Sequence, residues 1–246
     1  MKVAAIVVSH GNAMELETCL PALEPQVDEL VVIANIPGSV PEGIEAISNP
    51  RPLGFAANVN LGVASSSGEA VVIANPDAVA EQGAVTALRD FMAAHPHCGV
   101  AGPRMLYPDG SPQASRRRFP TIGGTIVRRT PLRRVVEQNR HLHLDEPAPS
   151  GPVQADWMLG AFLLLRREML EELGGFDPGF RLYGEDIDLQ YRAMRAGWER
   201  WYVPAAVVSH AHQAETDRRF LTRRTLWHWR GIARFVRKHP ERLRAL

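Results

Sequence analysis

Residues 2–34 read KVAAIVVSHGNAMELETCLPALEPQVDELVVIA. The run Lys2–Val8 is short and almost continuously apolar, which suits a strand buried on both faces of a sheet. Ser9-His10-Gly11-Asn12 breaks it, and Leu16, Cys19, Leu20 and Leu23 then follow at helical spacing. Glu29–Ala34 is a second buried strand, closed by Asn35-Ile36-Pro37-Gly38. Strand, helix and strand in this order predict a doubly wound α/β half-domain. Such sheets bind ligands outside the carboxyl ends of their strands. Ser9, His10, Asn12 and Asn35 fall at that edge.

The alternation continues. Ile44–Ser48 is a weaker third strand, and Glu69–Ala74 is the next buried one. Between them, Asn49-Pro50-Arg51-Pro52-Leu53-Gly54-Phe55 leads into a helix that carries Asn58 and Asn60. A helix start presents free backbone N–H groups that suit an anion. The two asparagines offer amides to a base or ribose, or else form a polar face and a cap. The strand ending at Ala74 stops at Asn75-Pro76-Asp77. Proline cannot continue a central strand, so Asp77 sits in a turn just beyond it. A carboxylate there suits Mg²⁺ or Mn²⁺ with a diphosphate, or a plain Asx turn. Gln82–His95 reads as an amphipathic helix and Cys98–Pro103 as a further strand.

The middle of the chain changes character. Arg116-Arg117-Arg118, Arg128-Arg129 and Arg133-Arg134 are basic clusters with little periodicity around them, and Asp145–Pro152 has linker composition. Residues 111–152 are expected to form a mobile insertion near the active edge. The segment from Val153 reads as strand, Gly160, strand, then helix. Gly160 permits close approach by a ligand or a neighbouring strand. Trp157 either covers a sugar face or belongs to the core.

Gly174 to His210 is the chemical centre. Tyr183-Gly184-Glu185-Asp186-Ile187-Asp188 places three carboxylates in the first turn of a helix, which the helix dipole favours. Capping alone explains an isolated acidic turn. Here a glycine-rich turn precedes it, and a strand-like segment follows through Pro204 to His210. With Asp77 upstream, the pattern suggests a metal and a general base in one cleft, His210 ligating through neutral imidazole.

Composition narrows the class. The 246 residues and 45% hydrophobic content are enough for one large domain with a substantial core. Cys19 and Cys98 lack metal-like or disulfide spacing, which fits a reducing compartment. No apolar run is long enough to span a bilayer, and the N-terminus reads as a strand, not a signal peptide. The near-neutral net charge hides an asymmetry. Residues 1–50 hold one lysine against seven acids, whereas residues 217–246 hold ten Arg or Lys against two acids. That basic tail, with Trp227, Ile232, Phe235 and Val236, reads as an amphipathic helix that packs on its own domain or lies in a membrane interface. No Walker-type loop, GxSxG or HExxH motif is present.

Taken in order, VVSHGN, NPRPLGFAANVNLGV, NPD, WMLGAFLLLRREMLEELGGFDPGF, YGEDIDLQYRAMRAGW and YVPAAVVSH resemble an inverting family-2 glycosyltransferase of the GT-A fold, in its rhamnosyltransferase-like branch. The resemblance covers nearly the whole chain. It implies a Rossmann-like doubly wound mixed sheet over residues 1–216: a nucleotide-sugar-binding half at 1–110, the insertion at 111–152, and a catalytic half at 153–216. A C-terminal helical extension would follow at 217–246.

The resemblance also implies chemistry. Asp186 matches the catalytic base and Glu185 its acidic neighbour, which would orient the acceptor. Asp188 is expected to be structural, partnering a nearby arginine. Asp77 matches the last carboxylate of a DXD-type motif whose first acid is Asn75 here, and it would share a Mg²⁺ or Mn²⁺ ion with His210. Ser9, His10, Asn12, Asn35, Gly54, Phe55, Asn58, Asn75 and Asp77 would hold a UDP-, dTDP- or GDP-linked sugar donor. Trp157, Gly160, Tyr183 and Gly184 fall on the acceptor side. Many relatives carry Asp-Asn after the second strand, the Asp contacting the nucleoside; Ala34-Asn35 removes that charge.

The activity implied is inverting transfer of a hexosyl or deoxyhexosyl group to a glycan or lipid-linked acceptor in cell-surface glycan assembly. The location implied is cytoplasmic, with peripheral contact at the inner face of the membrane and no nucleic-acid partner. The alternative is a non-catalytic nucleotide-sugar-binding or assembly protein on the same fold. A sugar nucleotidyltransferase is disfavoured, because Ser9-His10-Gly11-Asn12 is not a basic, glycine-rich phosphate loop.

Overall fold

The computed structural model describes residues 1–119, 149–211 and 223–243. Strand β1 (Val3–Ser9) is buried at every position, so side chains of both parities need cover. Val3, Ala5 and Val7 enter one apolar cluster, and Ile6 and Val8 another, on opposite faces of the sheet. Helix α1 (Ala13–Leu23) covers the first face with Leu16, Leu20 and Leu23. β2 (Glu29–Ala34) then runs parallel to β1. β3 (Ile47–Ser48) is shorter than the expected 44–48 and pairs with the end of β2. Helix α2 (Phe55–Ala64) covers the second face.

β4 (Ala70–Ala74) lies parallel to β1 on its other side. β5 (Ala78–Ala80) follows the Asn-Pro-Asp turn, then α3 (Ala84–Ala94) and β6 (Cys98–Leu106). β7 (Pro112–Gln113) pairs with β6, and β8 (Arg116–Arg117) pairs with β10 (Trp157–Met158), so the expected mobile insertion is already strand-paired over these residues. Arg128, Arg129, Arg133, Arg134 and His212 lie outside the described residues.

β9 (Val153–Gln154) pairs with the last strand. β11 (Phe162–Arg166) inserts antiparallel between β4 and β6, and α4 (Arg167–Leu173) follows. Helix α5 (Glu185–Arg195) starts at the acidic turn. β12 (Glu199–His210) is one long strand, as expected, and an irregularity between Val203 and Val207 admits Pro204. The principal sheet runs β3-β2-β1-β4-β11-β6-β12-β5, parallel at its β3–β4 end and mixed thereafter. A final helix, α6 (Arg223–Lys238), leads into a short 3-10 turn, Pro240–Leu243. No helix among the described residues is long and apolar enough to cross a membrane.

Candidate functional site

The carboxyl ends of β1 and β2 carry an amide and hydroxyl network. Ser9 is fully buried; its hydroxyl donates to the Ser39 carbonyl and accepts the Asn12 N–H at 3.2 Å. It therefore ties two loops together and does not present itself to a ligand. Asn12 takes the His10 N–H and donates to Glu15 at 3.3 Å, holding the start of α1. Asn58 is fully buried too. Its Nδ2 donates to the Gly54 carbonyl and its Oδ1 accepts from Asn49, so it shapes the loop before α2 and meets no base or ribose directly. Asn60 is likewise engaged, exchanging two hydrogen bonds with the backbone of Phe176.

Gly54 is required by a close approach. A Cβ there would stand 3.1 Å from both the Cα and the carbonyl oxygen of Arg181. The Phe55 N–H, the first of α2, donates to that same carbonyl at 3.1 Å. The Gly54-Phe55 turn thus joins the N-terminal half to the segment that leads into the acidic turn, and this N–H is not free for an anion.

β5 runs antiparallel to β12 with His210 opposite Ala78, which brings the preceding Asp77 beside His210. Their Oδ1 and Nε2 atoms are 3.4 Å apart, long for a hydrogen bond. The Nδ1 of His210 meets Gln113 Oε1 at 2.8 Å. A proton on Nδ1 given to Gln113 leaves the Nε2 lone pair facing the carboxylate. Two lone-pair donors converging in this way suit a divalent cation. Cys19 lies behind the same turn, its Sγ donating to the Ala78 carbonyl at 3.3 Å. Burial first, then the charge of Asp77, pushes its thiol up to about 12, so it stays neutral. Among the described residues no group of three or more His, Cys, Asp and Glu side chains gathers to enclose a metal. Asn75 turns the chain, its N–H bonded to the Ala161 carbonyl at 2.8 Å and its own carbonyl to Ala78 at 3.0 Å.

The acidic turn is set by backbone geometry. Tyr183 has φ 69° and Gly184 φ 97°, two successive left-handed residues before α5. Tyr183 is the sole non-glycine with positive φ among the described residues, and such strain concentrates at functional sites. Asp186 is then held from two sides. Its Oδ2 accepts the Gly160 N–H at 3.1 Å and its Oδ1 the Ile187 N–H at 2.9 Å. Gln190, one turn on, takes the Met158 N–H at 2.8 Å and donates to the Met158 carbonyl at 2.7 Å, locking α5 to β10. The Gly160 N–H is thus engaged by Asp186. Gln190 carries no sequence signal except a polar residue on an otherwise buried helix face.

Glu185 is buried, and its Oε2 has no hydrogen-bond partner. Desolvation first, and the neighbouring Asp186 second, push its carboxyl up to about 8. Burial also raises Asp186, but its two backbone N–H donors and the charge of Arg117 oppose that rise. Near neutral pH Glu185 therefore keeps its proton.

Trp157 proves to be a core residue. It is 6% exposed, packs with Phe119, Phe180, Tyr191 and Phe235, and donates its indole N–H to the Arg118 carbonyl at 2.9 Å. Phe235 comes from α6, which docks on the acidic turn. Gly231 lies against the Tyr183 carbonyl with no room for a Cβ, and Arg181 stacks 5.2 Å from the centre of the Trp227 ring. Asp188 is fully buried between Arg192 at 2.8 Å, Lys238 at 2.9 Å and His239 at 2.8 Å. Asp177 pairs with Arg234 and Lys238, which outweigh its burial and hold its carboxyl well below the usual range. The expected arginine partner of Asp188 is therefore present, joined by Lys238 and the His239 imidazole, which the sequence places in a separate tail.

A family model described as "Glycosyltransferase like family 2" matches residues 2–228. The chain is 30% identical over 247 aligned residues to N-acetylglucosaminyl-diphospho-decaprenol L-rhamnosyltransferase of Mycobacterium tuberculosis, covering 89% of this chain and 78% of that protein. Its fold resembles GalNAc-T7 solved with UDP, GalNAc and Mn²⁺, at a TM-score of 0.70 and 15% identity, over 99% of this chain but only 50% of that one. It also resembles glucosyl-3-phosphoglycerate synthase from Mycobacterium tuberculosis, solved with Mn²⁺, UDP-glucose and phosphoglyceric acid, at a TM-score of 0.60 and 16% identity, over 96% and 79% of the two chains.

Proposed function

The chain belongs to glycosyltransferase family 2, and from that premise we propose that it transfers a sugar, with inversion, from a nucleoside-diphosphate donor to an acceptor hydroxyl. The observation that carries this reading is the Asp186 carboxylate, fixed by the N–H groups of Gly160 and Ile187 beside a proton-holding Glu185. A base needs a defined orientation and an ionised state at working pH. Asp186 removes the proton of the acceptor hydroxyl as its oxygen bonds to the anomeric carbon. The bond from that carbon to the diphosphate breaks on the opposite face, and the diphosphate leaves with the electron pair. Glu185, protonated, donates a hydrogen bond that orients the acceptor.

Asp77 and His210 would hold Mg²⁺ or Mn²⁺, with diphosphate oxygens completing its shell. A cation there supplies charge stabilisation for the leaving group. His10 and Asn12, at the carboxyl ends of the strands, would face the nucleotide, with Ser9, Asn35 and Asn58 positioning the loops around it.

The acceptor we infer is a lipid-linked glycan, by likeness to the relative whose name specifies a diphospho-decaprenol substrate. The exposed Trp229, with Arg230 and Arg237 on the same helix, supports peripheral contact with an anionic membrane surface.

The test is a donor panel. Purified protein is incubated with Mn²⁺ or Mg²⁺ and UDP-, dTDP- or GDP-sugars, following thermal shift and nucleoside diphosphate release. One donor should stabilise the protein in a metal-dependent way, and Asp186→Asn should keep that shift while losing about 10²–10⁴-fold in release. Full release by Asp186→Asn would remove Asp186 as the base. No response to any donor would point to the non-catalytic alternative.

A further inference from the structure

Asn35 is held by one backbone residue in a way that settles its orientation. The Leu53 N–H donates to Asn35 Oδ1 at 2.8 Å, and the Leu53 carbonyl accepts from Asn35 Nδ2 at 3.1 Å. A backbone N–H only donates and a carbonyl only accepts, so the oxygen and nitrogen of this amide cannot be exchanged. Asn49 adds a second bond to Oδ1 at 2.9 Å. The other Nδ2 proton points at His10 Nδ1, 2.9 Å away. That ring nitrogen must accept, so the imidazole proton sits on Nε2.

Two consequences follow. Asn35 is 4% exposed and has both donors and both acceptor positions engaged within the protein, so it has nothing left for a ligand. His10 is exposed, one residue beyond β1, and presents a donor at its outer nitrogen. The neighbouring strand end offers no polar counterpart, since Ala34 ends in a buried methyl.

We propose that His10, locked by Asn35 as the Nε2–H tautomer, selects the donor's nucleobase by a hydrogen bond to a keto oxygen. Bases with a keto group on the edge that faces His10, namely uracil, thymine and guanine, are accepted. Those with an exocyclic amino group there, cytosine and adenine, set donor against donor and are rejected. This selection rests on the donor-site reading of this edge.

The experiment is calorimetric titration of the full chain, with Mn²⁺ present, by UDP, dTDP, GDP, CDP and ADP. The tightest keto nucleotide should bind about tenfold more tightly than its amino counterpart of the same ring class. His10→Phe should bring that ratio to within about twofold. Asn35→Asp supplies an acceptor to Nδ1, moves the ring proton there, and should shift preference toward CDP or ADP. Should Asn35→Asp fail to fold, His10→Phe and the ¹⁵N signature of the His10 ring in the wild type carry the test; that ring should carry its proton on Nε2. Nucleotide binding with an unchanged ratio in His10→Phe, or a proton found on Nδ1, overturns the assignment alone. Failure of the wild type to bind any nucleotide overturns the donor-site reading, and this selection with it.

Discussion

The Gly160 N–H donates to Asp186 Oδ2 at 3.1 Å, and a Cβ on residue 160 would stand 2.9 Å from the Asp186 Cβ. Approach this close leaves no room for a side chain at residue 160 while α5 stays docked. Gly160→Ala should therefore displace Asp186, the proposed base, without touching the Asp77–His210 pair. The expected outcome is a fall of about 10²-fold in kcat, with donor affinity unchanged. Steady-state kinetics alongside donor titration distinguish this from a general loss of structure, which would lower both.

Glu185 predicts an unusual pH dependence of stability. Its folded carboxyl is raised to about 8 by burial and by Asp186, from an ordinary 4.5. Between those values the folded state binds more protons than the unfolded one, so stability from this group is full below about pH 4.5 and is lost as pH rises through 8. Glu185→Gln removes the need to ionise a buried carboxyl. Thermal melts should show the variant more stable than wild type at pH 9, by about 5 °C, with the gap closing toward pH 5. A gap that widens on acidification would contradict the buried, proton-holding state.

Asp188 should matter to the fold more than to the chemistry. It is fully buried among Arg192, Lys238 and His239. Asp188→Asn leaves Arg192 and Lys238 without their buried counter-charge, which typically costs about 3–5 kcal/mol. Urea unfolding should show a loss of that order. A cost below about 1 kcal/mol, the scale of exposed ion pairs, would mean that α6 is only loosely attached.

The parts of the fold readable in advance are those built from local pattern. β2 was expected over Glu29–Ala34 and is found there, because an uninterrupted apolar run bounded by polar turns has one buried solution in a parallel sheet. The strand-like run through Pro204 to His210 is found as β12, because the irregularity after Val203 accommodates the proline. The acidic turn was legible as a helix start, whereas its supports were not. Gly160 and Gln190 reach Asp186 and Met158 across 26 and 32 residues, and no local periodicity encodes such pairing. The same holds for Ser9, Asn58 and Trp157. Their residue types suit a ligand site, and only the folded chain shows that their hydrogen bonds end within the protein. The basic tail was read from clustered charge, but Arg234 and Lys238 are bound to two aspartates fifty or more residues upstream.

The docking of α6 bears on how the protein is made. β1, β2, α2 and β4 are near neighbours in sequence, so this parallel end of the sheet can begin to assemble while synthesis continues. The Tyr183–Asp188 turn is different, because Gly231, Lys238 and His239 reach it from the far end of the chain. The order of synthesis would leave this turn unbraced, and the proposed base unsupported, until α6 has emerged.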